Sequence, residues 1–416
     1  MRCNDTCDAS LDTPTLKPMD QRYELPHFFL HERGPFDFRG VAAALEQHLH
    51  GMPMDLVLPV GDVQYAIELP LLQGLRSGRT GMHKADAAEL HVVAAAPLAS
   101  YMVARHIERN MSAHVDRMAR LDKALRENSY FLRGLPFLFI FGHWNLKDML
   151  GEELMKTLGR RNVILATTDQ SSPWATEKFR KILEQGVIVP YVPHSMAHET
   201  DPWMPLQRRR EGYMFHGDVG RWDFGLRDKM LASMRLAAKN QKVRIDIRVG
   251  EMTRGNQTSL QSSFSQARYM ESAYPYLNAS LCMSPSGDTI TTRRLFDALE
   301  AGCVPVLVWS WYSMTWDHVN FYTALPFPHS INWQSLALRF GPCPRAARQQ
   351  HQIRQTIDDK WLAKWHGAEF VLEKMRDRGR RAFRDHLDYV HNPQGVAKAM
   401  LREIRHILAS KVDQRW

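Results

Sequence analysis

The chain has 416 residues, of which 44% are hydrophobic and 24% are charged, and its formal net charge is +9 at pH 7. This composition is that of a globular protein and excludes a largely disordered chain. The length exceeds what one hydrophobic core usually holds, so we expect two domains. No segment approaches the roughly 18 consecutive apolar residues of a membrane-spanning helix, and the N-terminus resembles neither a signal peptide nor an anchor, which predicts a soluble chain.

After an N-terminal tail (1–19) that we expect to be disordered, alternating apolar runs and helical stretches over 20–200 predict a Rossmann-like domain with a doubly wound sheet. Its predicted strands are Leu56–Val60, Leu90–Ala95, Leu135–Phe141, Val163–Ala166 and Val187–Val189. Helical stretches are predicted at Ser112–Arg126 and Trp174–Gln185.

A hinge is expected within Pro193–Gln207, which is rich in proline, histidine and acidic residues. A second domain (205–345) is predicted to contain parallel strands at Tyr213–His216, Val243–Ile247, Leu281–Met283 and Val304–Val308. The remainder (346–416) predicts helices that pack on the domains, with apolar residues near a 3.6-residue period at Phe370, Val371, Met375, Val396, Met400, Ile404 and Ile407.

Most of the basic excess lies in this C-terminal segment, where 16 lysines and arginines stand against 9 acidic residues over 345–416. Such residues on amphipathic helices are typical of solvated helix faces, so no nucleic-acid partner is expected. A polyanion-binding protein remains an alternative interpretation. It predicts binding that is lost as the salt concentration rises.

The segment with the strongest functional signal runs from the strand at Leu281 to the strand at Val304. Between them lie a turn of small residues, Ser284–Gly287, and a helix whose apolar face carries Leu295, Ala298 and Leu299 and which Gly302 ends. Small residues at the carboxyl end of a parallel strand let a ligand approach the backbone, so we expect this turn to line a pocket. The same pattern is also typical of a βαβ unit without a ligand.

This segment resembles the nucleotide-sugar-binding signature of the exostosin family of glycosyltransferases. The signature has a Cys-x-x-Pro-x-Gly turn, an arginine seven residues later, an acidic residue followed by alanine, and then Gly-Cys-Val/Ile-Pro-Val. The corresponding residues here are Cys282, Pro285, Gly287, Arg294, Asp297, Ala298 and 302–306. Further similarities occur in family order at 185–191, Arg208–Arg210, Phe215–Gly217, Gly225–Arg227, Leu231, Leu325–Phe327 and Ile331–Trp333.

The resemblance implies a GT-B fold, in which two Rossmann-like domains face a cleft and the second binds the donor. It implies an inverting glycosyltransferase that moves sugar from a nucleotide sugar, a UDP-sugar in our expectation, to a polysaccharide or glycoprotein glycan. Without an Asp-x-Asp motif no metal is expected, so cations and backbone amides must bind the diphosphate. The candidates for donor binding are Gly217, Arg221, Arg227, Ser284, Ser286, Gly287 and Arg294.

Asp297 is the first candidate for binding the ribose hydroxyls, and Glu300 is the second. Each of them also fits a solvated carboxylate on a helix. Inversion requires a general base on the acceptor side. There, 141–145 is similar to a family turn, but the Asp-His pair that usually precedes this turn is absent. The candidates are therefore His143 and Asp148, and a histidine at a strand end is more often structural.

Four aromatic residues, Trp144, Trp174, Tyr191 and Trp203, are candidates for stacking on acceptor sugars, although each is also typical of ordinary packing. Cys282 and Cys303 fit small buried hydrophobes, the commoner fate of buried cysteine. A zinc site at His194, His198 and Glu199 is disfavoured by the neighbouring prolines and lacks a further ligand.

The alternative to an active enzyme is a catalytically silent exostosin-like subunit that supports an active glycosyltransferase partner. The missing Asp-His pair favours this alternative, and retention of Gly287, Arg294 and Asp297 disfavours it. An oligomer, with itself or with another glycosyltransferase, is compatible with either. The resemblance also implies the Golgi lumen or the secretory pathway, although no membrane anchor is visible in the sequence.

Overall fold

The computed structural model describes the greater part of the chain. The described residues are 24–52, 54–58, 60–78, 81–82, 84–143, 145–160, 162–168, 186–194, 209, 211–218, 226–242, 244–250, 276–286, 291–308, 325–340, 362, 365 and 368–413. They divide into two compact units. The N-terminal unit takes the described residues of Pro18–Val192, Phe321–Ile331 and Arg384–Trp416, and the central unit takes those of Pro193–Asn320 and Asn332–Phe383.

The N-terminal unit contains a five-stranded parallel sheet whose strands lie side by side in chain order, β1-β2-β3-β4-β5. The strands are β1 (Phe28–His31), β2 (Leu90–Val93), β3 (Phe137–Ile140), β4 (Val163–Thr167) and β5 (Val187–Ile188). Strands β2 to β5 are buried at every position, as expected for a parallel sheet that is covered on both faces.

Nine described α-helices lie in the Pro18–Val192 part of this unit. They are α1 (Arg39–Leu49), α2 (Met54–Val57), α3 (Val60–Val63), α4 (Glu68–Ser77), α5 (Pro97–Met102), α6 (Met111–Glu127), α7 (Ser129–Leu132), α8 (Leu146–Leu150) and α9 (Glu152–Leu158). A π-helical turn (Val103–Ile107) follows α5, and 3-10 turns lie at Gly34–Phe36 and Ala85–Ala87. Asn110 caps α6, because its side chain accepts a hydrogen bond from the Ser112 backbone N–H.

The central unit contains a second five-stranded parallel sheet, in the order β10-β9-β8-β6-β7. Its strands are β6 (Glu211–Asp218), β7 (Ile245–Gly250), β8 (Ala279–Pro285), β9 (Val304–Val308) and β10 (Leu338–Phe340). Counted along the unit, the order is 2-1-3-4-5, which is that of a doubly wound sheet. The direction of winding reverses between β6 and β8, and this is where such sheets bind ligands.

Alternate residues of the central strands point to opposite faces. Tyr213, Phe215 and Leu281 pack with helices α10 (Leu226–Gln241) and α12 (Glu369–Ala382) on one face. Met214 and Cys282 pack on the other face against α11 (Arg293–Glu300). The remaining elements are α13 (Pro393–Asp413), the 3-10 turn Trp333–Ser335 and the π-helical turn Phe383–Leu387.

The predicted α/β fold with two parallel sheets is confirmed. The predicted strand at Leu56–Val60 is wrong, because helices α2 and α3 occupy this region. Short apolar runs are compatible with a buried helix as well as with a strand. The predicted apolar face of α12 is also wrong in part, since Phe370 and Val371 are 72% and 45% exposed while Leu372 and Met375 are buried.

The helix predicted at Trp174–Gln185 and the N-terminal tail lie outside the described residues. Among the helices that the structure describes, none is long and apolar enough to cross a membrane.

Candidate functional site

The polar groups of the central unit cluster where β6 and β8 end. The pairing of Glu211 with Ala279 and of Met214 with Cys282 sets these strands parallel, so His216–Asp218 and Ser284–Ser286 lie at the same edge of the sheet. Helix α11 begins nearby, and its Thr292 N-cap makes no side-chain hydrogen bond with the helix backbone. The carboxyl ends of β6 and β8 flank the reversal of strand order, so this edge is the candidate ligand site of the unit.

Arg294 is held tightly against the end of β6. Its Nε atom donates a hydrogen bond to the His216 carbonyl oxygen at 2.7 Å. Its guanidinium carbon lies 5.5 Å from the centre of the Phe215 ring, a cation–π distance. A Cβ atom at Gly217 would lie 2.3 Å from the Arg294 Nη2 atom. Any larger residue at this position would therefore displace the guanidinium.

Arg227 links the start of α10 to the end of β8. Its side chain is almost fully buried, and its Nη2 atom donates a hydrogen bond to the Ser286 carbonyl oxygen at 3.2 Å. The Ser286 backbone N–H in turn donates to the Val308 carbonyl oxygen at 2.9 Å. These bonds fix the backbone of the turn that the sequence predicts to approach a ligand.

Ser284 lies near the end of β8, and its buried hydroxyl group is unusual in its surroundings. The residue is 3% exposed, and within the part of the chain that the structure describes its Oγ atom has no hydrogen-bond partner. Most buried polar groups are hydrogen-bonded, so an orphaned hydroxyl calls for a water molecule or a ligand atom. Its place at the strand end is consistent with a ligand.

Asp297 lies on α11 and is 3% exposed. One carboxylate oxygen accepts a hydrogen bond from the His194 backbone N–H at 2.9 Å, and the other lies 3.0 Å from His194 Nδ1. Burial acts to raise the pKa of Asp297, but electrostatic attraction and hydrogen bonding from His194, with the Arg293 guanidinium, outweigh it, so the pKa is lowered. The carboxylate is therefore charged and already engaged.

Glu300, the second predicted ribose ligand, is 8% exposed at the end of α11. Arg221 and Gly287 lie outside the described residues, as do Trp144, Trp174, Trp203, His198 and Glu199. Among the described residues, no group of three or more histidine, cysteine or acidic side chains is arranged to hold a metal ion.

In the N-terminal unit, His143 follows β3 and is buried. Its Nδ1 atom accepts a hydrogen bond from the Asn145 backbone N–H at 3.0 Å. Burial lowers the pKa of His143 to about 4, although the charge of Asp62 acts in the opposite direction. The neutral ring therefore carries its proton on Nε2, and this tautomer opposes a role as general base.

Asp148 is exposed, and one of its carboxylate oxygens accepts a hydrogen bond from the Asn145 side-chain amide at 2.9 Å. Tyr191, a candidate for sugar stacking, is 2% exposed, and its ring centre lies 5.3 Å from that of Tyr65. Its buried ring therefore belongs to the core of the unit.

A second carboxylate of this unit, Asp62, was not singled out from the sequence. Its Oδ2 atom lies 3.3 Å from His106 Nε2, and both side chains are 17% exposed. Asp62 is also the charge that acts on His143. It is thus a partly accessible carboxylate beside two histidines, and no sequence motif marks it.

Comparison with known proteins identifies the family. The sequence profile of the Exostosin GT47 domain matches residues 44–361, which is most of the chain. The chain belongs to the exostosin GT47 family.

Curated exostosin relatives match over a shorter segment. Exostosin-1 of Bos taurus and that of Mus musculus are each 32% identical to the chain over 96 residues, which is 23% of this chain and 11% of the relative. The chain thus matches about a ninth of the length of these relatives. The predicted exostosin family is therefore confirmed.

Among solved structures, the chain is similar to the glycosyltransferase of kitacinnamycin, with 12% identity and a TM-score of 0.30 over 92% of this chain and 100% of the other. It is also similar to the glycosyltransferase SnogD from Streptomyces nogalater, with 14% identity and a TM-score of 0.29 over 88% of this chain and 89% of the other. The fold assignment rests on the two sheets themselves.

Two features of this exostosin-family chain were missed from its sequence. Cys282 and Cys303 are not separate small hydrophobes but form a disulfide with a Cα–Cα distance of 5.9 Å. The disulfide joins β8 to the start of β9. Both cysteines stand in the family signature, but their pairing needs the adjacency of these two strands, which spacing alone does not supply.

The other missed residue is Arg209. It is 7% exposed, and its guanidinium donates hydrogen bonds to the carbonyl oxygens of Tyr276, Ala279 and Ala301 at 3.0, 2.6 and 2.8 Å. Arg209 thereby ties the start of β8 to the end of α11. The Arg208–Arg210 run belongs to the exostosin resemblance, but the sequence does not show which arginine is buried.

Proposed function

We propose that this chain transfers a sugar from a nucleotide sugar, UDP-linked, to a polysaccharide or glycoprotein glycan, with inversion and without a metal. One observation carries the proposal: an edge with arginine side chains and an orphaned buried hydroxyl, Ser284 Oγ, lies at the reversal of strand order in the central sheet. Arginine and backbone N–H groups suit a diphosphate in a site that uses no metal.

In this proposal the diphosphate is bound by residues around the end of β8 and the start of α11, and the ribose by a carboxylate of α11. The residues proposed for donor binding are Gly217, Arg221, Arg227, Ser284, Ser286, Gly287, Arg294, Asp297 and Glu300. The acceptor hydroxyl attacks the anomeric carbon, the bond from that carbon to the diphosphate oxygen breaks, and UDP leaves. The acceptor proton passes to a general base.

For the base, His143 and Asp148 remain proposals, and the geometry adds Asp62. The two carboxylates are better placed than His143 to accept a proton. They are more exposed, whereas the His143 Nδ1 atom already accepts a hydrogen bond from a backbone N–H. Neutral His143 also leaves the silent-subunit alternative open, since a chain without a base binds donor but does not turn it over. An active chain would show its stereochemistry in the anomeric proton coupling of the product by NMR.

A thermal shift experiment tests the proposal. The chain is heated with UDP, with a panel of UDP-sugars and with uridine, in the presence and absence of EDTA. We expect UDP to raise the melting temperature with or without EDTA, because a ligand at 100 times its Kd adds about 2.7 kcal/mol of stability. No shift with any nucleotide would refute the transferase proposal. A shift without sugar turnover would support the silent subunit.

For location and partners, we propose the Golgi lumen. The Cys282–Cys303 disulfide supports an oxidising compartment, because structural disulfides are rare in the cytosol. An oligomer with itself or with a second glycosyltransferase is part of the same proposal, and light scattering of the purified chain, alone and mixed with such an enzyme, tests it.

A further inference from the structure

Arg293 and Arg294 stand side by side at the start of α11, yet their guanidinium groups have different surroundings. Arg294 donates to a backbone carbonyl and stacks on Phe215. Arg293 contacts a histidine and a carboxylate of its own unit. Within the described residues its Nη1 atom is buried and has no hydrogen-bond partner.

The geometry of this cluster indicates which atoms donate and which accept its hydrogen bonds. The Arg293 Nη2 atom lies 2.7 Å from His194 Nε2, and guanidinium groups only donate, so Nε2 accepts. The Asp297 Oδ2 atom lies 3.0 Å from His194 Nδ1, and a charged carboxylate only accepts, so Nδ1 carries the proton. His194 therefore bridges the Arg293 guanidinium and the Asp297 carboxylate.

The cluster leaves Asp297 little capacity for a ligand. Both of its oxygens accept hydrogen bonds from His194, and the Arg293 Nε atom lies 3.9 Å from Oδ2. Asp297 is 4% exposed in its side chain and Arg293 is 12% exposed. The aspartate thus serves to hold His194 and Arg293 in one orientation.

A guanidinium N–H without a partner in a buried site is costly unless a ligand or water accepts its hydrogen bond. The Arg293 Nη1 atom therefore provides a donor that is already desolvated, at the start of α11. An anion placed there gains a charge-assisted hydrogen bond without the entropy cost of ordering a free side chain.

We propose that Arg293, whose neighbour Arg294 carries the family resemblance, donates its free N–H to the diphosphate of the nucleotide, and that Asp297 and His194 are positioning residues for Arg293. This inference rests on the proposed nucleotide-sugar function. It removes Asp297 from the ribose and leaves Glu300 as the carboxylate of α11 for that role.

Calorimetric binding of UDP and of uridine to the full chain separates the two roles, because the ligands differ only in the diphosphate. We expect R293Q to weaken UDP binding about 10- to 100-fold and to leave uridine binding unchanged. D297N should weaken UDP binding less than R293Q and should also leave uridine unchanged. The matched control is R235Q, since Arg235 is an exposed arginine of α10 in the same unit.

Two results would overturn the assignment. If R293Q binds UDP within twofold of the unmodified chain, Arg293 does not contact the diphosphate. If D297N weakens the binding of uridine as much as the binding of UDP, Asp297 binds the ribose. If R293Q does not fold, R293K replaces it, because lysine keeps the charge but lacks the Nη1 donor. We then expect R293K to weaken UDP binding to the same extent and to leave uridine binding unchanged. Failure of the unmodified chain to bind UDP would instead refute the proposed function, and with it this inference.

Discussion

The two parallel sheets of this chain differ in strand order and in the polar groups that they bury. In the central sheet the order reverses between β6 and β8, and arginines surround the strand ends at that reversal. In the N-terminal sheet the described strands run in chain order. Among the described strands, a reversal of order occurs in the central sheet, and such reversals are where parallel sheets bind ligands, so our nucleotide proposal concerns the central unit.

The N-terminal sheet buries neutral polar groups instead of cations. His31 on β1 and His91 on β2 lie side by side, with 3.0 Å between His31 Nε2 and His91 Nδ1. Burial, and then the neighbouring His91, lower the pKa of His31 to about 4. The comparison teaches that the N-terminal unit lowers the pKa of the histidines that it buries, whereas the central unit buries the charged side chains of Arg227 and Asp297 beside hydrogen-bond partners.

The largest expected effect concerns the internal support of the central unit. Replacing Arg209 by methionine removes three hydrogen bonds to carbonyl oxygens and leaves these oxygens buried without their partner. We expect a loss of about 3–5 kcal/mol in the free energy of unfolding, measured by urea denaturation. Arg235→Met on the exposed face of α10 is the control. Equal free energies of unfolding for the two variants would show that the Arg209 hydrogen bonds do not stabilise the fold.

A somewhat smaller effect is expected from the disulfide that joins β8 to the start of β9. Replacing Cys282 and Cys303 by alanine should cost about 2–4 kcal/mol, because the unfolded chain regains the freedom that the bridge removes. A reducing agent should lower the melting temperature of the unmodified chain and leave that of the double variant unchanged. A reductant effect of the same size on both would show that this bridge is not responsible.

The β8-α11-β9 region could be predicted from the sequence because its signals are local. The strand, the apolar helix face and Gly302, whose φ of 63° ends the helix in the left-handed conformation, all lie within thirty residues. The turn predicted at Ser284–Gly287 is wrong in part, because β8 continues through Pro285, and Gly287 lies outside the described residues. Strands β1 and β10 were missed, since runs of four and three residues carry too little periodicity.

The partners of the site residues could not be predicted, because they are distant in the chain. His194 and Asp297 are 103 residues apart, and Arg209 and Ala301 are 92 residues apart. A local pattern identifies Asp297 as a helix carboxylate beside a turn, but only tertiary contact shows that His194 already occupies it. The same holds for Asp62, whose histidine neighbours belong to other elements.

The next expected effect concerns Gly217, which leaves space for the Arg294 guanidinium. Filling this space should reduce the affinity for UDP. In Gly217→Ala the new methyl group meets the Arg294 guanidinium, which is the far end of a flexible side chain and is displaced by the contact. Displacing the guanidinium should weaken UDP binding about tenfold. Gly40→Ala, where a Cβ has nothing within 4 Å, is the control. Unchanged UDP affinity would show that Arg294 need not occupy this position.

The smallest expected effect is a pH dependence of the N-terminal unit. The pKa of His31 is lowered in the folded state, so its contribution to stability is present above the unfolded value of 6.5 and is lost as the pH falls toward about 4. The slope from one such histidine is at most about 1.4 kcal/mol per pH unit. Replacing His31 and His91 by phenylalanine should flatten the stability profile between pH 7 and 5. Burial also lowers the pKa values of His114 and His143, so some slope should remain in the double variant. A slope identical to that of the unmodified chain would mean that the buried histidine pair is not kept neutral by the fold, and the contrast between the two sheets would then rest on strand order alone.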